Sequence, residues 1–510
     1  MQRALRSIVL ACAVTAGLTS PAWAQVAQER VDLAVVQKIR EEGLQRSQVP
    51  DLAGYLTDVI GPRLTGSPAM RTALDWTADK LRGWGFVNVT VEPWGEFGQG
   101  WERVSYSGRI LTPYVQGLQA IPTGWTGSTK GTVTGSAAVV KVDSVADLAK
   151  YRGTLKGAIV LLQPKPEIRE EWEAPASRTS LDDLLGPPPE PTPARAPADR
   201  ERQMGRFRQM RAVRDSADKL FRAAGVLAVL VPSTRAYGIL AGGGNNAGRD
   251  PKNPVPLPEL IVSEEQYAQV YRDVERGVPV RIELNVQNRF FPQDLQAYNT
   301  LADYPGTDKA DEYVMLGGHL DSWHFGTGAA DDAAGVVVMM EAMRILKTLG
   351  LQPRRTIRIG LWSAEEQGLL GSRGWVAKHP EMHGKISAYL NVDNGTGKIR
   401  GIWDQSNEAA IPIFEQILWP FRDLGVVAVK HGNTGGTDHL AFDAAGIPGF
   451  NFIQDPIAYS AQSHHTFLDV YDHLQLDDLE QAAVVVAATT WALANRDEMV
   501  PRKPRPPATN

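Results

Sequence analysis

The stretch Tyr313–Gly335, YVMLGGHLDSWHFGTGAADDAAG, limits the fold more than any other part of the chain. An apolar run, Val314–Leu316, stops at Gly317-Gly318 and gives way to His319 and Asp321. A Gly/Ala-rich turn then delivers Asp331-Asp332, and an apolar helical pattern starts at Ala333. Strand, ligand-type side chains, then helix is how an open α/β sheet presents chemistry at the carboxyl ends of its strands. Val336–Met340 is apolar on every face, so this helix is expected to be buried.

The same arrangement recurs downstream. Strand-like Thr356–Trp362 leads through Ser363-Ala364 to Glu365-Glu366, Ser387–Val392 leads to Asp393, and Gly449–Ile453 leads through a loop to His464-His465. Taken singly, each is ordinary: a strand-end histidine is usually a bonded core residue, and paired carboxylates are usually solvated faces or helix caps. Their coincidence at successive strand ends is what points to a site. Two histidines with several carboxylates suit a borderline cation such as zinc, which takes nitrogen and oxygen ligands. The carboxylates outnumber the needs of one zinc, and two metals roughly 3.5–4 Å apart need a bridging carboxylate. Asp331, in a tight turn at a helix start, is well placed to bridge. In the Glu365-Glu366 pair, one carboxylate can ligate while its neighbour acts as general base. Asp321 can orient the His319 imidazole from behind.

Around this α/β stretch, expected over Asn299–Ala494, the chain changes texture. Arg3 and Arg6, the short apolar run Ile8–Leu18 and Ala22-Trp23-Ala24 read as a secretory signal peptide, 1–24, so the mature chain is expected in the periplasm or outside the cell. The single cysteine, Cys12, falls inside that leader, leaving no disulfides; too few apolar residues precede it for a lipid anchor. Losing Arg3 and Arg6 takes the formal charge from -5 to -7, which argues against nucleic acid as the main partner. No later stretch has the roughly 18 uninterrupted apolar residues of a membrane span. Ser67 fits a helix N-cap, Pro68 the first helical position and Gly85 the stop. Short β-like runs separated by Gly and Pro place a β-rich insert at 120–288, splitting the α/β domain into 25–119 and 289–498. Within it, 165–214 is rich in Pro, Arg and Glu and reads as a mobile excursion or helical lid. Glu408–Leu424 reads as one helix, and the proline-rich 499–510 as a disordered tail.

HLDSWHFGTGAADDAAG, RTIRIGLWSAEEQGLLGS, YLNVDNGTG, GGTDHLAFDAAGIPGF and SHHTFLDVYDHL together resemble the co-catalytic zinc exopeptidase family, which spans leucyl aminopeptidases and glutamate carboxypeptidases. The resemblance extends to IGPRLTGSPAMRTALDWTADKLRGWGF before the insert. It implies an α/β fold: a mixed, largely parallel sheet with helices on both faces, carrying a protease-associated-like insert. It implies two zinc ions, one on His319 and Asp393, the other on Glu366 and His465, with Asp331 between them. Glu365 would be the general base acting on a metal-bound water, and Asp321 the partner behind His319. The family usually has a cis peptide after the bridging aspartate, here Asp331–Asp332. Many relatives carry a tyrosine before the last histidine ligand; here that position is His464, a candidate donor to the oxyanion. Gly435–His439 resembles a substrate-side loop.

The implied activity is hydrolysis of terminal bonds of peptides or dipeptides, closest in texture to the carboxypeptidase Q-like branch, with a homodimer as the expected assembly. Two other classes use related scaffolds: a receptor that has lost its ligands, and a one-zinc cyclase of N-terminal glutamine. The complete set of two-metal ligands, with Glu365 present, separates this chain from both.

Overall fold

The computed structural model describes residues 28–167, 170–187 and 197–504. The leader and Cys12 lie outside the described residues. Apolar strands that follow one another through buried helices build a mixed eight-stranded sheet. Its strands, in chain order, are β1 (Val87–Glu96), β2 (Gln296–Tyr304), β3 (Lys309–His319), β4 (Arg355–Trp362), β5 (Ile386–Asn391), β6 (Ile399–Trp403), β7 (Ala428–Lys430) and β8 (Gly449–Gln454). Across the sheet they run β1-β2-β4-β3-β5-β8-β6-β7. The central four, β4, β3, β5 and β8, are parallel. Their register sets His319 beside Trp362 and Gly317 beside Asn391. The residues that follow β3, β4 and β5 therefore emerge side by side, at the roughly 4.8 Å spacing of neighbouring strands.

The helices packed on this sheet include α1 (Leu33–Gln45), α2 (Pro68–Gly83), α3 (Ala334–Thr348), α4 (Leu370–Lys378), α5 (His439–Ala444) and α6 (Leu476–Asn495). The cap expected for α2 is present: Ser67 Oγ accepts from the Met70 amide and Pro68 is the first helical residue. Gly85 has φ +80°, the left-handed turn that its lack of a Cβ permits. In α3 every residue from Ala334 to Leu346 is buried, as the all-round apolar pattern requires. The two charged groups in that run, Glu341 and Arg344, are held in one ion cluster. Arg344 Nε meets Glu341 Oε2 at 2.7 Å and Nη1 meets Glu42 Oε1 of α1 at 2.7 Å. Removing the guanidinium leaves the buried Glu341 without a cation, while Glu42 keeps Arg46 at 2.6 Å, so Arg344→Met is expected to lower the unfolding free energy by about 3 kcal/mol. Denaturant unfolding with an unchanged m-value checks this.

A second eight-stranded sheet lies between β1 and β2 in sequence, in the order Gln116–Gly117, Gly100–Thr112, Arg281–Phe291, Val133–Val139, Ala158–Leu161, Ala228–Pro232, Glu259–Val262, Ala120–Pro122. It starts at Gly100, earlier than the insert edge expected at 120. The reason is that Gly100–Thr112 pairs antiparallel with Arg281–Phe291 along its length. Among the described residues of 165–214, Pro197–Ala224 is a helix, and Ser177–Asp183 lies against the loops and edge of the first sheet. There Arg178 Nη1 meets Asp455 Oδ2 at 3.0 Å and Asp478 Oδ2 at 2.6 Å, and Ser177 bridges to Ile457.

Two expectations are corrected. Glu408–Leu424 is not one helix: a 3-10 turn, an α-helix Ile411–Leu418 and a second 3-10 turn Trp419–Leu424 succeed one another, with Pro412 and Pro420 at the joins. The tail expected to be disordered from 499 is anchored through Lys503. Val500 is buried, and Arg502 donates to the carbonyls of Gly446, His383 and Ile386. Residues 505–510 lie outside the described residues.

Candidate metal centre

The parallel register brings the expected residues together. His319 ends β3, Glu365 and Glu366 follow β4, Asp393 follows β5, and His464 and His465 follow β8. Asp331 sits in the turn before α3, behind a cis peptide to Asp332. His319 Nε2 lies 3.2 Å from Asp331 Oδ1 and 3.6 Å from Asp393 Oδ1. His465 Nε2 lies 3.4 Å from Asp331 Oδ2 and 2.8 Å from Glu366 Oε2. Asp331 thus presents one oxygen to each imidazole. Glu365 Oε2 stands 4.0 Å from His319 Nε2, outside this inner contact.

Backbone conformation aims these groups. Ala364 has φ +55° and His465 φ +58°, left-handed values uncommon for residues with a Cβ. The twist at Ala364 comes just before the adjacent glutamates, and the one at His465 sets its imidazole beside Trp323 at 6.1 Å between ring centres. No glycine marks either position, so composition held no signal for them.

Asp321 departs from its expected part. The His319 Nδ1 partner is the Asp321 backbone carbonyl at 2.9 Å, whereas the carboxylate is 3.7 Å away. That carboxylate instead accepts from the Glu365 amide at 3.1 Å and from Thr65 Oγ1 at 3.1 Å. It ties the loop after β3 to the loop after β4. Asp332, adjacent to Asp331, has its oxygens taken by the His319 and Gly335 amides.

Two further residues position the cluster, and neither was singled out in the sequence. Arg63 is fully buried and donates to the carbonyls of Leu320, Gly61, Thr327 and Gly328 at 2.7–3.1 Å, clamping both ends of the loop between His319 and Asp331. Asp469 accepts from the Ala330 and Asp331 amides and so holds the Asp331 turn. A buried arginine spent on carbonyls has no periodicity or partner motif to betray it. Arg63→Met is expected to lower zinc affinity by roughly 10–100-fold, the usual cost of losing an outer positioning group. Competition with a chromogenic chelator measures this.

The electrostatics fit a divalent cation. Burial, with the field of Asp331, pushes Glu366 well above the ordinary carboxyl range; burial, with Asp393 and Asp438, does the same to Glu365. Burial also opposes the charge on Asp331, but His319 and then His465 outweigh it and hold that carboxyl low. The His319 Nε2, Asp331 Oδ2 and Glu366 Oε1 atoms are buried with no hydrogen-bond partner. Crowded acids and imidazoles with unspent lone pairs aimed at one another are the donor set zinc takes.

In front of the cluster is a cavity of about 500 Å³, also lined by Tyr459, His464 and the Gly435-Gly436 turn. His464 stacks on His465 at 3.8 Å, its Nε2 3.9 Å from Asp331 Oδ2. His439 lies beneath that turn, buried, with Nε2 on the Thr434 carbonyl at 3.2 Å.

The comparisons with known proteins point the same way. A family model described as peptidase family M28 matches residues 299–490. Carboxypeptidase Q from Pongo abelii is 28% identical over 484 residues, covering 94% of this chain and 91% of that protein. A crystal structure of a peptidase M28 precursor from Shewanella amazonensis matches with TM-score 0.67 and 26% identity, over 92% of this chain and 99% of that one. A zinc aminopeptidase from Bacillus subtilis shares the fold, with TM-score 0.57 and 19% identity over 90% of this chain and 98% of that one.

Proposed function

The chain is a zinc metallo-exopeptidase of the co-catalytic zinc exopeptidase family, peptidase family M28, and from that premise we propose a secreted two-zinc enzyme that cleaves terminal bonds of short peptides, dipeptides above all. One observation carries the two-ion part. The two oxygens of Asp331 face different imidazoles, His319 at 3.2 Å and His465 at 3.4 Å, and each imidazole has a second carboxylate beside it. In this proposal His319 and Asp393 hold one zinc, Glu366 and His465 hold the other, and Asp331 serves both. Bound zinc supplies Lewis acidity towards the scissile carbonyl and lowers the pKa of water.

The protein's own groups supply the rest. Glu365 lines the cavity but stands back from the inner contacts, so its carboxylate is free to take the proton of the attacking water and return it to the leaving nitrogen. His464, on the cavity wall beside His465, donates to the oxygen on which charge develops. Asp321 fixes the Glu365 backbone through the amide bond described above. Arg63 and Asp469 keep the Asp331 turn in place.

The likeness to carboxypeptidase Q over nearly its whole length supports an exopeptidase, and the resemblance of the sequence motifs to that branch is what suggests dipeptides. The position of the second sheet between β1 and β2 supports its assignment as a protease-associated-like insert. The basic, apolar, small-residue pattern of the leader supports secretion. Among the described residues no helix is long and apolar enough to cross a membrane.

Metal analysis of protein purified without chelator is expected to give about two zinc per chain, as a two-metal mechanism requires. Chelation should abolish peptide hydrolysis, and added zinc should restore it. A reproducible content near zero overturns the proposal and favours the receptor class. Profiling blocked and unblocked dipeptides then sorts the exopeptidase types, since turnover of N-blocked substrates excludes a strict aminopeptidase.

A further inference from the structure

The cavity in front of the ligand cluster is lined by acids and a single strong cation. Asp331, Glu365, Glu366 and Asp393 supply the carboxylates, and each belongs to the cluster or serves as its base. Arg373 is the only lysine or arginine among the described residues that line it. It lies on the first turn of α4, exposed, and its Nη1 donates to the Gly368 carbonyl at 3.1 Å. It forms no ion pair with any described carboxylate. Arg235, in the loop after Ala228–Pro232, lies outside the lining and donates to the Ser460 carbonyl.

A guanidinium without an acid partner, at the mouth of a cavity where the substrate binds, is suited to an anion that arrives with the substrate. A peptide with a free C-terminus carries one such anion, its α-carboxylate. Of the acids lining the cavity, Asp331, Glu366 and Asp393 are assigned to the metals and Glu365 to proton transfer, so none is assigned to the α-ammonium at the other end. Beside Arg373, Leu369 at the start of α4 and Leu440 on α5 form the apolar part of the same wall, with Gly435 and Gly436 leaving it uncrowded. The cavity, about 500 Å³, is of small-ligand size, which suits a peptide of few residues.

We propose that Arg373 binds the substrate's C-terminal carboxylate, so that the α4–α5 wall selects short peptides with a free carboxyl end and takes the last side chain against Leu369 and Leu440. This rests on the peptidase activity proposed above. Arg373 acts as a specificity residue and touches no reacting atom.

The test compares a dipeptide with its C-terminal amide on the zinc-loaded protein, in turnover and in binding. Wild type is expected to favour the free acid in kcat/KM by about 10- to 100-fold, the range of a charge-assisted hydrogen bond. Arg373→Met should collapse that ratio to near one, mainly through KM, and Arg373→Lys should recover part of it. Binding of the same pair to the Glu365→Gln protein, by calorimetry, should show the same preference and lose it when Arg373→Met is added. An equal loss on acid and amide, or a preference that survives Arg373→Met, overturns the proposal even with an active peptidase. If neither peptide is turned over but binding keeps its Arg373-dependent preference, the activity falls and the carboxylate site stands.

Discussion

Glu365→Gln should cut kcat by about 10⁴-fold while the protein keeps its zinc and its thermal midpoint. That is the upper end of what general acid–base catalysis contributes. The upper end applies because one carboxylate is asked to do two jobs, taking a proton from water and giving it to the leaving amine. Glutamine matches glutamate in size and can still accept hydrogen bonds, but it cannot carry a proton between them. Zinc should stay because Glu365 stands 4.0 Å from His319 Nε2, whereas Asp331 and Glu366 make the close approaches to the imidazoles. Near-normal turnover in this variant would remove Glu365 from the mechanism and leave the ligand set intact.

Asp331→Ala is expected to be as damaging by another route. Its two oxygens serve two groups of ligands, so one truncation should weaken both metal sites. Asp393→Asn, by contrast, touches one group and should leave about one zinc per chain. The affinity lost at Asp331 should exceed the roughly 10–100-fold that an outer positioning residue costs. Metal content measured across a titration of free zinc distinguishes the two patterns. If Asp331→Ala retains one tightly held ion as Asp393→Asn does, Asp331 does not bridge.

How much of this was legible in the sequence varies with the kind of signal. Ligand-type residues after apolar runs were visible because strand ends are short, regular and punctuated. The burial of α3 followed from an apolar run with no polar face. The Ser67-Pro68 start of α2 followed from local capping chemistry. Other features depend on partners distant in the chain. Gly100–Thr112 is an alternating strand like β1 before it, and only its pairing with Arg281–Phe291 assigns it to the second sheet. Asp321 looked like a partner for the His319 ring, but its carboxylate turns to the Glu365 amide while its carbonyl takes the imidazole. Arg178 looked like one charge in a polar excursion until Asp455 and Asp478 were seen to receive it. Periodicity describes an element's own faces and carries little about the surface it meets.

The pairing of the two long strands also bears on how such a chain assembles. The catalytic sheet is interrupted between β1, which ends at Glu96, and β2, which begins at Gln296, and these two residues are partners. Left as a flexible loop, the intervening chain would cost about 3 kcal/mol more to close than a four-residue turn, at about 0.6 kcal/mol per doubling of length. The second sheet removes most of that barrier if it folds first, because Gly100 pairs with Phe291 and so delivers Glu96 and Gln296 to the same place. A contact between Glu96 and Gln296, two hundred residues apart in sequence, then forms almost as a local one. In that order of events the inserted sheet would act as a folding template for its host, shortening the search that sets the rate.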